Sequence, residues 1–360
     1  YIFQDCGAAV LICEEDFREN AERNRAVVPD CKFVAHGFSA KGWSGFEELL
    51  ESNEKLADNP DVTYESPLLI IYTSGTTGRP KGAVLTQNAL FWNALNSVHM
   101  HDLSAQDHVL SVLPLFHVGP LNIQTVPAFY AGATVTLTPK FDPAQVLNLI
   151  AELRPSLILL VPVTMQAVLQ NANWEKCDCS SLRSVTTGSS VIPVELIEGF
   201  HQRNIPVGQV YGSTETCPIA AYLRAEDAIR KIGSTGKTAL HCEVRVVNES
   251  GKSVATGEAG ELLVRGANVM KEYWNKADET AKVITDGWYS TGDVGFYDEE
   301  GYLFINDRKR DIIISGSENI YPAEIEVVLR EHPHILDVAV VGKTDPEWGE
   351  VPAAFVVKSP

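Results

Sequence analysis

Positive charge is scarce in this chain: 29 Lys and Arg face 47 Asp and Glu, a net charge of −18 over 360 residues. That balance argues against nucleic acid or an anionic membrane as a partner held by bulk electrostatics, although a local basic loop can still hold a small anion. No apolar run approaches the length of a membrane span; Leu157–Val163 is typical of the longest. The seven cysteines are scattered, and the single Cys177-x-Cys179 pair lacks zinc-ligand spacing. An odd cysteine count in a long chain fits a reduced, cytoplasmic compartment. Neither a signal peptide nor an internal repeat nor a low-complexity tract stands out, and the opening Tyr1–Cys13 reads as domain interior, so the chain reads as a fragment. What remains is the composition of an ordinary globular protein, 45% hydrophobic and 21% charged, long enough for one large domain or two smaller ones.

Against that background one stretch is rich in glycine and hydroxyls: Ile71-Tyr-Thr73-Ser74-Gly75-Thr76-Thr77-Gly78-Arg-Pro-Lys81-Gly-Ala-Val-Leu-Thr-Gln87. An apolar strand pattern, Pro67–Tyr72, runs into it, and a helical pattern begins a few residues after Gly82. Glycines let backbone N–H groups approach an anion; Ser74, Thr76 and Thr77 add hydroxyl donors and Lys81 a point charge. The spacing departs from a Walker loop, because Arg79 and Pro80 separate Gly78 from Lys81. A flexible linker is the alternative reading of such a composition.

From Pro67 to Val210 short apolar strands alternate with helical segments. Strands are expected at 68–73, 109–113, 134–138, 157–160, 184–187 and 207–210, with helices near 88–101, 122–131, 143–153, 163–170 and 193–202. The alternation predicts an α/β fold with a parallel-rich sheet covered on both faces. After Lys237 the pattern changes to strands 243–248, 260–266 and 296–306 joined by Asn-Glu-Ser-Gly and Asp-Glu-Glu-Gly turns. The expected organisation is a large domain over 1–306 with a β-rich subdomain at about 237–306, a hinge at 307–311, and an incomplete α+β lobe at 312–360.

Four further patches carry chemistry. Residues 113–120, Leu-Pro-Leu-Phe-His117-Val118-Gly-Pro, place a histidine between strand and helix, where a half-buried structural role is the alternative. Residues 186–193, Thr-Thr-Gly188-Ser189-Ser190-Val-Ile-Pro, end a strand in small residues. Residues 209–216 read Gln209-Val-Tyr211-Gly212-Ser213-Thr214-Glu215-Thr; Glu215 alone would be a solvated surface acid. Residues 289–293, Tyr-Ser-Thr-Gly-Asp293, read otherwise as a turn, and Arg308-Lys309-Arg310 as a solvated charge run.

Together, in order and spacing, these patches resemble the adenylate-forming superfamily: acyl-CoA synthetases, peptide-synthetase adenylation domains and luciferases. The resemblance spans Leu69 to Val357. It implies that ATP lies against Thr73, Ser74, Gly75, Thr76, Thr77, Gly78, Lys81, Gly188, Ser189, Ser190, Gln209, Tyr211, Gly212, Ser213 and Thr214, with Asp293 and Arg308 on the ribose. Lys81, Thr214 and Glu215 take the catalytic roles, and Glu215 holds Mg²⁺, a hard cation suited to one carboxylate plus substrate phosphates. His117, Val118, Gly188 and Gly212 line the acyl pocket; Arg310 is the hinge, and Ser315 and Gly316 lie along the CoA arm.

The partners implied are a small carboxylic acid, ATP and CoA; nothing in the sequence speaks to oligomeric state. Leu85–Ala94 resembles fatty acyl-CoA synthetases, so the first expectation is a medium- or long-chain fatty acid. Hydroxycinnamate- or succinylbenzoate-type aryl acids come second, and an amino-acid adenylation domain or a non-catalytic nucleotide-binding relative third. The resemblance also implies a further lysine from sequence beyond Pro360. Residues 1–360 alone should therefore bind ATP weakly and exchange labelled pyrophosphate slowly; exchange at the speed usual for the family would contradict this.

Overall fold

The computed structural model describes residues 1–51, 59–73, 79–188, 192–308, 311–315, 318–345 and 349–358. Strands Val10–Glu14 (β1), Lys32–His36 (β2) and Ser44–Gly45 (β3) open the chain as a small parallel sheet. Pro67–Thr73 (β4) and Lys81–Thr86 (β5) then pair antiparallel, with Thr73 opposite Lys81. His108–Ser111 (β6), Thr134–Leu137 (β7), Leu157–Leu159 (β8), Ser184–Gly188 (β9) and Val207–Tyr211 (β10) form the parallel heart of a larger sheet, in the order β7-β6-β8-β9-β10. Ala221–Leu223 (β11) and Lys237–Thr238 (β12) extend that sheet antiparallel.

Cys242–Val247 (β13) and Gly260–Gly266 (β14) begin an antiparallel sheet, and the two-residue Glu272–Tyr273 (β15) returns to pair with β5. Ile284–Thr285 (β16), Trp288–Tyr297 (β17) and Leu303–Arg308 (β18) complete the sheet begun by β13. Ile313–Ser315 (β19), Glu318–Ile320 (β20), Ile335–Asp345 (β21) and Gly349–Lys358 (β22) form the last sheet, against which helix Pro322–Arg330 packs.

The parallel strands form where the sequence is apolar on both faces. Leu110, Ile158, Val185 and Val207 are fully buried and meet Val146, Ile150, Met165, Ile197 and Phe200 from the helices on one side. Met100, Ile123 and Tyr222 pack with Leu159 and Val210 on the other. Helix ends are set by polar residues: Asp142 accepts from the Gln145 N–H at 2.7 Å, and Arg154 closes that helix in the left-handed conformation.

Two expectations are corrected here. β4 does not join the parallel sheet; it lies in the three-stranded antiparallel sheet β15-β5-β4. The helix begins a few residues after Gly82 as expected, but Lys81–Thr86, between loop and helix, is a strand that was not expected. Ala83, Val84 and Leu85 are all fully buried, so the strand lacks the alternation that marks a half-exposed one. Thr86 ends it and caps helix Gln87–His101 by accepting from the Ala89 N–H at 3.1 Å, leaving no turn between strand and helix. The expected strand at 296–306 is likewise two strands, β17 and β18, parted by the turn at Asp298–Gly301.

Behind β9 lies a buried polar cluster. His101 Nδ1 donates to the Ser97 carbonyl at 3.0 Å, and its Nε2 lies 3.0 Å from Thr186 Oγ1 and 3.4 Å from Gln124 Nε2. Burial pushes His101 down to about 4, so the ring is neutral in the folded protein. Above pH 6.5 this costs nothing. Below it the unfolded chain takes up a proton that the folded one refuses, until the folded value of about 4 is reached. Stability should fall by about 3 kcal/mol across that window on this account alone. His101→Gln should flatten the pH dependence of the urea midpoint between pH 7 and 4.5; an unchanged slope would contradict it.

Candidate active site

The sequence Tyr211-Gly212-Ser213-Thr214-Glu215 turns sharply at the end of β10. Gly212 has φ of +154°, and a Cβ there would stand 1.6 Å from the Pro218 carbonyl oxygen. Only glycine satisfies both constraints. Gly188, at the end of β9, is required for a similar reason, since a Cβ would meet the Val210 carbonyl oxygen at 2.6 Å. Neighbouring backbone, not ligand room, already demands these two glycines.

The turn sends Glu215 inward rather than to solvent. It is 7% exposed, and the Tyr273 hydroxyl donates to its Oε1 at 2.7 Å. Its own carbonyl accepts from the Met270 N–H at 2.7 Å, which ties the turn to the segment leading into β15. Gly212, Ser213 and Thr214 remain half-exposed on the same turn. Tyr289, from β17, is buried against both Glu215 and Asp293; burial, then the Glu215 charge, raises its hydroxyl far above the ordinary range.

Asp293 accepts from the Tyr211 hydroxyl at 2.8 Å and stands opposite Arg308 across β17 and β18. The Thr-Gly-Asp segment is not a chain-reversing turn. It is an irregularity inside a ten-residue strand, where Thr291 donates to the Leu262 carbonyl at 2.8 Å and accepts from the Asp293 N–H at 3.0 Å.

Lys81 heads β5 with its ammonium 2.5 Å from Glu279 and 5.2 Å from the centre of the Tyr273 ring. Glu279 also pairs with Lys282 at 2.5 Å, and hydrogen bonds from Lys282 and then Lys81 pull its carboxyl down to about 2. His117 is exposed, which removes the half-buried structural alternative, and Val118 is buried. A π-helical turn, Leu121–Thr125, follows them where a plain helix was expected. Thr187 and Gln209 are paired in register across β9 and β10; the buried Thr187 Oγ1 and Gln209 Nε2 find no hydrogen-bond partner among the described residues. Such orphaned polar atoms at the C-terminal ends of parallel strands suit a ligand-binding edge.

Ser74, Gly75, Thr76, Thr77, Gly78, Ser189, Ser190, Arg310 and Gly316 lie outside the described residues, as does the Arg308 side chain. Ser315 ends β19, opposite Glu318 and Gly349. The structure thus brings together Lys81, Glu215, Tyr211 and Asp293, joined by three residues given no role from the sequence: Tyr273, Tyr289 and Glu279. Tyr289 stands in the motif before Asp293, so position alone flagged it; nothing local flagged the other two.

The donor set fits a Mg²⁺ ion shared with phosphates. Glu215 supplies one hard carboxylate, and the described residues contain no group of three or more His, Cys, Asp or Glu that could form an all-protein cage.

A layered α/β body followed by a small, mainly antiparallel lobe defines the class as the fold of the adenylate-forming enzymes. The profile of AMP-binding enzymes matches residues 1–274, and that of the AMP-binding enzyme C-terminal domain residues 324–360. The chain belongs to the AMP-binding enzyme family. It is 50% identical over 357 residues to the indoleacetate–CoA ligase of Aromatoleum aromaticum, covering 99% of this chain and 70% of that protein. It is 41% identical to a feruloyl-CoA synthase of Amycolatopsis, covering 86% of this chain and 63% of the relative. Among solved structures, the o-succinylbenzoate CoA synthetase of Bacillus subtilis with its acyl-adenylate intermediate superposes with a TM-score of 0.86 at 32% identity, over 99% of this chain and 70% of that one. The same enzyme with ATP and magnesium gives 0.85 at 32% identity, over 99% and 71%. The chain thus spans about two thirds of the length of these relatives. No helix among the described residues is long and apolar enough to cross a membrane, and all seven cysteines are free.

Gly212→Ala should lower the unfolding free energy by about 3 kcal/mol or more, since strain at positive φ adds to a backbone clash. Urea denaturation checks this, and a loss below about 1 kcal/mol would contradict the geometry.

Proposed function

We propose that the protein is an ATP-dependent aryl acid–CoA ligase of the AMP-forming type. The observation that carries this reading is the 50% identity to an indoleacetate–CoA ligase along 99% of the chain. The buried Glu215 carboxylate and the Tyr211–Asp293 pair supply side chains suited to phosphate-bound metal and to ribose.

In the first step a carboxylate oxygen of the acid bonds to the α-phosphorus of ATP. The α–β bridging bond breaks, and pyrophosphate leaves. The acid is already ionised at neutral pH, so no general base is required. The protein's task is alignment and charge neutralisation. Mg²⁺, when bound, supplies charge to the phosphates, and Glu215 is the residue that would hold it. Lys81 turns to the phosphates while Glu279 keeps Lys282 as its cation. Asp293 accepts from the ribose hydroxyls, with Tyr211 holding its carboxylate. In the second step the sulfur of CoA attacks the acyl carbon, the bond to AMP breaks, and the thiol proton passes to solvent.

The preference for an aryl acid replaces the first expectation of a fatty acid. The relatives named above act on indoleacetate, ferulate and succinylbenzoate by their names, and these are flat rings carrying a short acid arm. The fatty-acid expectation rested on Leu85–Ala94, which forms the end of β5 and the start of a helix. Buried scaffold of this kind reports family more than substrate. AMP release with CoA should be compared across indoleacetate, ferulate, succinylbenzoate, octanoate and palmitate with the full-length protein. An aryl or arylacetic acid should exceed both fatty acids by at least about tenfold in kcat/KM, the discrimination a shaped apolar pocket supplies. Faster turnover of octanoate or palmitate would overturn the reading.

A further inference from the structure

We infer that Tyr273 is a positioning residue: its hydroxyl fixes Glu215 for the phosphate-bound metal, and its ring sets the distance from Glu215 to Lys81. The inference rests on the reading of Glu215 as the Mg²⁺ carboxylate.

Strand register makes the arrangement. Tyr273 stands opposite Ala83 on β5, and Lys81, two residues before Ala83, shares that face of the strand. The diagonal neighbour across an antiparallel pair is within reach of an aromatic side chain, and the small Ala83 leaves room for the ring to lean toward Lys81. The ammonium accordingly lies 5.2 Å from the ring centre, within cation–π range. From the same ring the hydroxyl donates to Glu215 Oε1 at 2.7 Å.

The strand that carries Tyr273 is only two residues long and is secured at each side. The Lys271 N–H donates to the Val84 carbonyl at 2.9 Å and the Trp274 N–H to the Gly82 carbonyl at 2.7 Å. The Tyr273 N–H donates to Thr280 Oγ1 at 2.9 Å, one residue after Glu279, the partner of Lys81. Tyr273 is 5% exposed, so its ring has little freedom to swing away.

An outer hydrogen bond of this kind orients a metal-binding carboxylate, and its loss typically costs about 10–100-fold in metal affinity. Tyr273→Phe keeps the ring and removes the donor; Tyr289, which also lies against Glu215, remains to solvate the carboxylate. Calorimetry of ATP binding to the full-length protein, in chelator and across a Mg²⁺ titration, reads the effect apart from turnover. Y273F should bind ATP in chelator as the wild type does, while the Mg²⁺ concentration for half-maximal enhancement rises about tenfold or more. In a Glu215→Gln background the same substitution should change nothing further.

An unshifted Mg²⁺ midpoint in Y273F overturns the inference and leaves the function intact. So does an equal loss with and without metal, which marks a packing role. A wild type whose ATP binding ignores Mg²⁺ overturns both this and the reading of Glu215. Should Y273F fail to fold, 3-fluorotyrosine at position 273 replaces it as the probe. Its fluorine resonance should move when Mg²⁺ joins the ATP complex, and a resonance blind to Mg²⁺ overturns the inference.

Discussion

Taking a carboxylate out of water costs several kcal/mol unless hydrogen bonds and opposite charge replace its hydration. Glu215 is in that position, and the surrounding structure is arranged to satisfy it without neutralising it. The Tyr273 phenol reaches one oxygen, Tyr289 lies alongside, and Lys81 stands over the ring of Tyr273. No lysine or arginine pairs directly with Glu215 among the ion pairs of the described residues. A carboxylate buried beside phenols instead of cations suits a cation that arrives from outside. A divalent ion on a polyphosphate answers that description.

Satisfying this one side chain draws on elements far apart in the chain. The β10 turn presents Glu215, β5 brings Lys81, β15 brings Tyr273, and β17 brings Tyr289 and Asp293. The turn holds its shape because Gly212 admits the Pro218 carbonyl where any Cβ would collide. Asn268 then clamps it, donating to the carbonyls of Thr216 at 2.6 Å and Ile219 at 2.9 Å. Glu215 and Asp293 therefore share a frame, with Tyr211 leading from one end of the turn to Asp293. Rigid strands hold such groups in place more closely than mobile loops would.

What could be read from sequence follows the range of the forces involved. The parallel strands β6, β8, β9 and β10 are runs such as Leu157–Leu159 and Val207–Tyr211, buried on both faces and bounded by helix signals, so local pattern suffices. Lys81–Thr86 escaped because it is a continuous buried run that passes into a helix without a turn. β15 escaped because two residues carry no periodicity; pairing with β5, nearly two hundred residues earlier, makes it a strand. Glu215, Asp293 and Lys81 stood out through motif context, whereas Tyr273 is joined to Glu215 only by tertiary structure. The acid was the least legible feature, since ring and alkyl chain are told apart by pocket shape, and Leu85–Ala94 reports on the scaffold.

On the proposed reading an acid's carboxylate attacks the α-phosphorus of ATP in this site. That step is tested most directly by supplying the full-length protein with an aryl acid labelled with ¹⁸O in its carboxylate, together with ATP, Mg²⁺ and CoA, and measuring products by mass spectrometry. Attack at the α-phosphorus predicts ¹⁸O in AMP and unlabelled pyrophosphate. Label in orthophosphate, or thioester formed with no label in AMP, would contradict the account.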